Sequence, residues 1–95
     1  MTFQLTLHLK REHFEQIERG EKEFDFRLKT PYWQKHLINK EYKTIRLLCG
    51  YPKRGEKSRE MLVRYRGWLP KIILHPHFGK KPVHVFAIRV HDRIQ

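Results

Sequence analysis

Alternation of apolar and polar residues predicts six short strands along the chain. In residues 2–10 the apolar side chains of Phe3, Leu5, Leu7 and Leu9 share one face, while Thr, Gln and His side chains occupy the other. This period of two is typical of a half-buried strand. Similar strand patterns, some of them shorter, occur in residues 22–29, 43–49, 59–68, 71–75 and 83–92.

Two segments in the first half of the chain predict short helices instead. Residues 11–19 carry Phe14 and Ile17 three positions apart among charged residues, and Gly20 follows where a helix would end in a left-handed conformation. Pro31 opens a second short helix over residues 31–37, because proline is favoured at the first helical position.

The order of these elements predicts one α+β domain spanning residues 1–95. A chain of 95 residues has room for one hydrophobic core. Strands that follow one another without a βαβ series favour a mixed or antiparallel sheet, and so short a chain buries the edges of that sheet best by curling it. We therefore expect a small mixed or antiparallel β-barrel of about six strands, with one or two short helices near the N-terminus.

The charge of the chain indicates a polyanionic partner. The formal net charge is +11, with ten Lys and Arg against seven Asp and Glu in residues 1–52, and eleven against three in residues 53–95. Such a basic excess raises the local concentration of nucleic acids and phosphate-bearing ligands. The alternative is a solvated basic surface that only keeps the protein soluble.

Other features of the sequence bear on the location of the protein in the cell and on whether it binds a metal. No apolar stretch approaches the roughly 20 residues of a membrane helix, and the N-terminus lacks a signal-peptide pattern, so no membrane partner is expected. A single cysteine, Cys49, favours a reducing, cytoplasmic location. Of the seven histidines, His75, His77, His84 and His91 lie closest to a ligand-like grouping, but no Cys pair or His-Glu-x-x-His spacing accompanies them. We predict no metal and no other cofactor.

Residues 20–27, Gly-Glu-Lys-Glu-Phe-Asp-Phe-Arg, resemble the signature G-x-K-x-x-E-x-R of the ASCH family, with Asp25 where glutamate is most frequent. The resemblance implies a barrel related to the PUA domain, with a cleft beside the signature where RNA or a modified base would sit. Some family members are hydrolases that remove an acyl group from the exocyclic nitrogen of cytidine, and others bind or cleave RNA. The family therefore leaves the function open.

The signature residues have a chemistry of their own. Asp25 and Arg27 lie two apart on a strand and so share a face, where they form either a ligand clamp or a surface ion pair. Strict alternation places Lys22 on the other face, and it reaches Asp25 only from a turn or bulge. A desolvated lysine beside arginine is a candidate base or nucleophile, although Asp25 acts on its pKa in the opposite direction.

Mixed aromatic and cationic residues suggest further contacts with single-stranded RNA, where bases stack and cations hold phosphates. Of Tyr32 and Trp33, which follow the signature, we expect one to line the cleft and the other to pack. Tyr65 is in phase with the apolar face of its strand and is assigned to the core. The candidate ligand contacts are Arg27, Tyr32, Trp33, Lys53, Arg54, Arg64 and Arg66.

Two functional hypotheses follow, and the basic, aromatic second half favours the first. The first is a domain that binds RNA or a modified nucleoside without chemistry of its own. The second is a small hydrolase acting on an N-acylated cytidine or on RNA, with Lys22 and Asp25 as catalytic residues. Relatives that remove acyl groups carry a hydroxyl residue at the position of Asp25 and a later acid, for which no pattern matches here; this counts against their mechanism.

Overall fold

The computed structural model describes residues 4–50, 59–74 and 79–95, which form six strands and two short helices. The elements are β1 (Gln4–Leu9), α1 (Arg11–Glu18), β2 (Phe24–Leu28), α2 (Pro31–Leu37), β3 (Thr44–Cys49), β4 (Glu60–Arg64), β5 (Trp68–Ile73) and β6 (Val83–Arg89). Both helices and all six strands overlap predicted segments. Neither helix is long and apolar enough to cross a membrane.

The strands form two three-stranded sheets. In the first, with the order β1-β3-β4, β1 runs parallel to β3, and β3 is antiparallel to β4. In the second, with the order β2-β6-β5, both pairings are antiparallel. The expectation of a mixed or antiparallel sheet is therefore confirmed: the first sheet is mixed and the second is antiparallel.

The chain after β6 connects the second sheet to the first. The amide of Arg64 donates to the carbonyl of Asp92 at 2.8 Å, and the amide of Ile94 donates to the carbonyl of Leu62 at 2.7 Å. Val63 and Arg93 form an isolated antiparallel bridge between these hydrogen bonds. Over the described residues the two sheets are nevertheless open, and closure into a barrel stays a prediction.

The core lies between the sheets and α1. The apolar face predicted for β1 is buried at Leu5, Leu7 and Leu9, while Phe3 lies outside the described residues. Phe14 and Ile17 of α1 pack into the same core. Tyr65, which the sequence assigned to the core, is partly buried and packs against it. Burial of these side chains supplies the main favourable free energy of folding.

Some predicted strand bounds were wrong: the last strand, predicted over residues 83–92, ends at Arg89, and the division between the fourth and fifth strands was misplaced. Residues 59–68 read as one strand, but β4 ends at Arg64 and Trp68 already belongs to β5. Gly67 between them has φ +81°, a left-handed conformation that glycine adopts without strain and that interrupts the extended backbone. The alternation of apolar and polar residues continues across this break, so periodicity alone does not reveal it.

Candidate functional site

A cavity of about 470 Å³ lies where β1, α1, β2 and the start of α2 meet. Three of the charged residues predicted from the signature contribute to its wall, together with an aromatic side chain and two histidines. These lining residues are Lys22, Asp25, Arg27, Trp33, His8 and His13. We call this space the signature cavity.

The end of α1 determines how Lys22 enters the signature cavity. The amide of Gly20 donates to the carbonyl of Ile17 at 3.0 Å, and the amide of Glu21 donates to that of Gln16 at 2.8 Å. This pair of bonds is a Schellman motif, which requires the left-handed conformation that Gly20 adopts, with φ +76°. Lys22 therefore lies in the turn before β2, free of strand alternation, and reaches the side of Asp25.

Asp25 and Arg27 form a buried ion pair rather than a surface one. They stand opposite Ile88 and Phe86 on β6, so both project from the core-facing side of the sheet. Arg27 Nε donates to Asp25 Oδ2 at 2.5 Å, and their side chains are only 18% and 7% exposed. Taking two charges out of water is costly, so each depends on the other.

The guanidinium of Arg27 is fixed by two further contacts. Its Nη2 donates to the backbone carbonyl of His8 at 2.9 Å, and its carbon lies 5.0 Å from the ring centroid of Trp33. Among the described residues nothing hydrogen-bonds Nη1. A fixed guanidinium with unused donors is a suitable group for a phosphate or a carbonyl oxygen.

Lys22 forms a hydrogen bond with a histidine that the sequence did not indicate. Its Nζ lies 2.9 Å from His13 Nδ1 and 5.9 Å from the ring centroid of Phe26. Burial lowers the pKa of Lys22, and Arg27 lowers it further, while Asp25 opposes this shift. The sequence left open whether the pKa of Lys22 is raised or lowered. Desolvation is the largest effect, and the pKa is lowered.

The pKa of His13 is also lowered, first by burial and then by the charge of Lys22. When Lys22 is charged, its ammonium donates and Nδ1 of a neutral His13 accepts. When Lys22 is neutral, either group can donate: an N–H of the amine to Nδ1, or Nδ1–H of the other imidazole tautomer to the amine nitrogen. The two groups therefore form a hydrogen-bonded pair in the wall of the signature cavity.

The start of α2 places one aromatic residue at the cavity and the other outside it. Thr30 caps the helix by accepting a hydrogen bond from the amide of Trp33 at 3.3 Å, and Pro31 occupies the first turn. Trp33 lines the cavity and also packs against the core. Tyr32 does neither: it is 59% exposed and stacks on His36, with ring centroids 4.2 Å apart.

Of the remaining predicted contacts, the two that the structure describes, Arg64 and Arg66, do not line the signature cavity. Lys53 and Arg54 lie outside the described residues, as do His75 and His77. Arg64 and Arg66 are exposed and share one carboxylate: Arg64 Nη1 donates to Asp92 Oδ1 at 3.3 Å, and Arg66 Nε donates to Oδ2 at 2.7 Å. These hydrogen bonds lower the pKa of Asp92 and neutralise part of the cationic charge of the two arginines.

Sequence reasoning missed the contribution of β1 and α1 to the signature cavity. His8, Glu12 and His13 all line it. His8 occupies the polar face of a regular strand and His13 precedes a buried helix residue, so neither position differs in pattern from an ordinary surface histidine. Across the part of the chain that the structure describes, no three His, Cys, Asp or Glu side chains group as metal ligands.

Comparison of the chain with models of protein families, with curated proteins and with solved structures finds no match. The fold and the site define the chain as a small α+β domain with a cavity beside β2 that is lined by both cationic and acidic side chains.

Proposed function

We propose that this chain is an ASCH-type domain that binds RNA, or a nucleoside derived from RNA, in the signature cavity. One observation carries the proposal. The three charged signature residues line one cavity, although Lys22 lies before β2 while Asp25 and Arg27 lie within it. The aromatic ring of Trp33 lines the same cavity.

The chemistry of the wall suits a nucleotide. A volume of about 470 Å³ lies within the ~300–1,000 Å³ common for small-molecule sites. The unused donors of Arg27 can clamp a phosphate or a base carbonyl, and Asp25 can accept a hydrogen bond from an exocyclic amine. Trp33 adds an aromatic surface, and stacking of a base on such a ring contributes ~1–3 kcal/mol.

The surroundings support the same proposal. The net charge of +11 favours association with polyanions. Residues 92–95 run from the end of the second sheet along β4, and on this basis we propose that the two sheets form the PUA-like barrel of ASCH domains. With Cys49 as the single cysteine, we place the protein in the cytoplasm.

Incubation with a panel of nucleosides and short RNAs tests the proposal. The panel contains the four common nucleosides, N-acylated cytidine and ribohexanucleotides, and both retained compounds and reaction products are identified by mass spectrometry. The binding hypothesis expects at least one nucleoside or RNA to be retained without change in mass. Retention of none would contradict it.

A second function, hydrolysis, is favoured by the hydrogen bond between Lys22 and His13. Because burial lowers the pKa of Lys22, its amine becomes neutral at a lower pH than that of an exposed lysine. The neutral amine can act as a base. Lys22 would take a proton from the water that attacks an acyl carbon. Lys22 would then donate that proton to the exocyclic nitrogen of the cytidine as the C–N bond breaks. This route needs no hydroxyl nucleophile and is compatible with Asp25 at that position.

Substitution of Lys22 separates the two functions. If the domain is a hydrolase, Lys22→Ala should abolish product formation while the thermal midpoint stays near that of the unaltered protein, because Lys22 is only half-buried. Lys22→Arg should not restore turnover, since arginine stays protonated. Lys43→Ala, which removes an exposed lysine before β3, is the matched control.

Full product formation by Lys22→Ala would exclude the lysine mechanism. Restoration of activity by Lys22→Arg would show that the position contributes positive charge alone. The hydrolase proposal would then have no residue to act as general base.

A further inference from the structure

The two cations that the signature contributes to the cavity wall have different partners. Arg27 Nε lies 2.5 Å from Asp25 Oδ2, so the formal charges of this pair cancel. The ammonium of Lys22 instead lies 2.9 Å from Nδ1 of His13, and no carboxylate of the described residues forms an ion pair with it. An anionic group of a ligand would therefore gain more at Lys22 than at Arg27.

Both ring nitrogens of His13 lie close to ionisable groups. Nδ1 contacts Lys22, and Nε2 lies 3.7 Å from Glu12 Oε1. Burial and then the charge of Lys22 lower the pKa of His13, while the charges of Glu12 and Asp25 oppose this shift. The other titratable side chains in the wall of the signature cavity are His8, Lys10 and Arg27. Without a ligand, His13 is neutral at neutral pH.

A phosphate at Lys22 would reverse the balance at His13. A phosphate oxygen can accept the hydrogen bond of the ammonium in place of Nδ1, and a negative charge beside the ring favours the imidazolium. Nδ1–H of the imidazolium would then donate to the phosphate, while Nε2–H lies on the side of Glu12. The proton comes from solvent and returns to it when the ligand leaves, and no other bond is made or broken.

The part of the wall at Trp33 suits the base of the same nucleotide. The ring of Trp33 lies 5.0 Å from the guanidinium carbon of Arg27, whose charge Asp25 already balances. A neutral base can stack on the indole and accept a hydrogen bond from the guanidinium through a carbonyl oxygen. Charge thus assigns base and phosphate to different parts of the wall.

We propose that the signature cavity takes one nucleotide of an RNA strand with its phosphodiester at Lys22 and His13 and its base at Trp33, and that His13 takes up a proton from solvent when the phosphate binds. The inference rests on the binding function proposed above and specifies its ligand: a nucleotide recognised through its phosphate rather than a free nucleoside.

The pH dependence of RNA binding tests the inference. The pKa of His13 is lowered in the free protein and raised by the phosphate, so affinity should rise as the pH falls through the raised pKa and level off below the lowered one. Binding of a random-sequence ribohexanucleotide is measured by fluorescence anisotropy between about pH 5 and 8 at constant ionic strength. Its phosphodiesters keep their charge over this range, so the ligand itself does not produce the effect.

The variant His13→Asn separates His13 from the other titrating groups. Its amide oxygen can still accept a hydrogen bond from Lys22, but the amide cannot take up a proton. The slope of log affinity against pH should therefore be less negative than in the unaltered protein, by up to about 1 for one proton. His91→Asn, at an exposed position that does not line the signature cavity, is the matched control and should retain the slope of the unaltered protein.

NMR of the His13 ring provides a second measurement, which needs no variant. The pKa of His13 in the unaltered protein should rise when the hexanucleotide saturates it, and it should rise less with any of the four common nucleosides, which bring no phosphate.

Equal slopes in His13→Asn and the unaltered protein, or a pKa of His13 that the bound hexanucleotide leaves unmoved, would overturn the inference and leave the proposed function standing. Equal flattening in His91→Asn would also overturn it, because the general charge of the surface would then explain the pH dependence. Binding of nucleosides without binding of the hexanucleotide would exclude the phosphate contact alone. If the unaltered protein bound neither, the proposed function would fall as well.

Discussion

Asp25→Ala should destabilise the domain by ~3–5 kcal/mol, the usual effect of removing one partner of a buried ion pair. The substitution leaves Arg27 mostly buried against Trp33 without its carboxylate. Asp25→Asn should cost less, because the amide oxygen can still accept the hydrogen bond from Nε. Urea unfolding at neutral pH measures both differences in the free energy of unfolding.

The exposed pair of Arg19 and Glu21 supplies the control for this measurement. Glu21→Ala removes the same type of partner from an ion pair whose side chains are more than half exposed, and the unfolding midpoint should not move measurably. If Asp25→Ala unfolded at the same urea concentration as Glu21→Ala, the buried pair would not contribute to stability, and the rigidity that we assign to Arg27 would have no basis.

Arg27→Lys should weaken ligand binding by ~1–3 kcal/mol, the scale of a hydrogen bond to a charged group. This corresponds to roughly 5- to 150-fold in Kd. Lysine keeps the charge but has no planar fork, so it cannot hold Asp25, the carbonyl of His8 and a ligand together. The thermal midpoint should fall too, because the same contacts stabilise the fold.

Binding by Arg27→Lys is therefore measured by calorimetry well below its midpoint, where the protein is folded. Asp25→Asn serves as the comparison, since it perturbs the pair but retains the guanidinium. Normal affinity in folded Arg27→Lys would show that Arg27 is a structural residue and that the signature cavity lacks the clamp we assign to it.

The sequence predicted most of the elements because local periodicity encodes them. Alternation in residues 2–10 gave β1, and the spacing of Phe14 and Ile17 gave α1. Gly20 predicted the end of the helix, since a left-handed residue is required there. The two-residue spacing of Asp25 and Arg27 likewise predicted that they share a face, although not that this face is the buried one.

The rest of the site depends on contacts between distant segments, which periodicity does not encode. His13 meets Lys22 across the turn that ends α1, and the carbonyl of His8 meets Arg27 from a strand in the other sheet. Arg64 and Arg66 looked like free cations because their partner, Asp92, lies more than 25 residues away and approaches only when the chain end pairs with β4.

Mapping of backbone amide chemical shifts by NMR during titration with the ribohexanucleotide tests the central claim most directly. We predict that the largest changes fall on residues 8–13 and 20–33 and on the indole of Trp33, which surround the signature cavity. The surface of Arg64, Arg66 and Asp92 provides the internal comparison, because it is cationic but lines no part of that cavity. Changes confined to that surface, with the amides of residues 20–33 unmoved at saturation, would contradict the account.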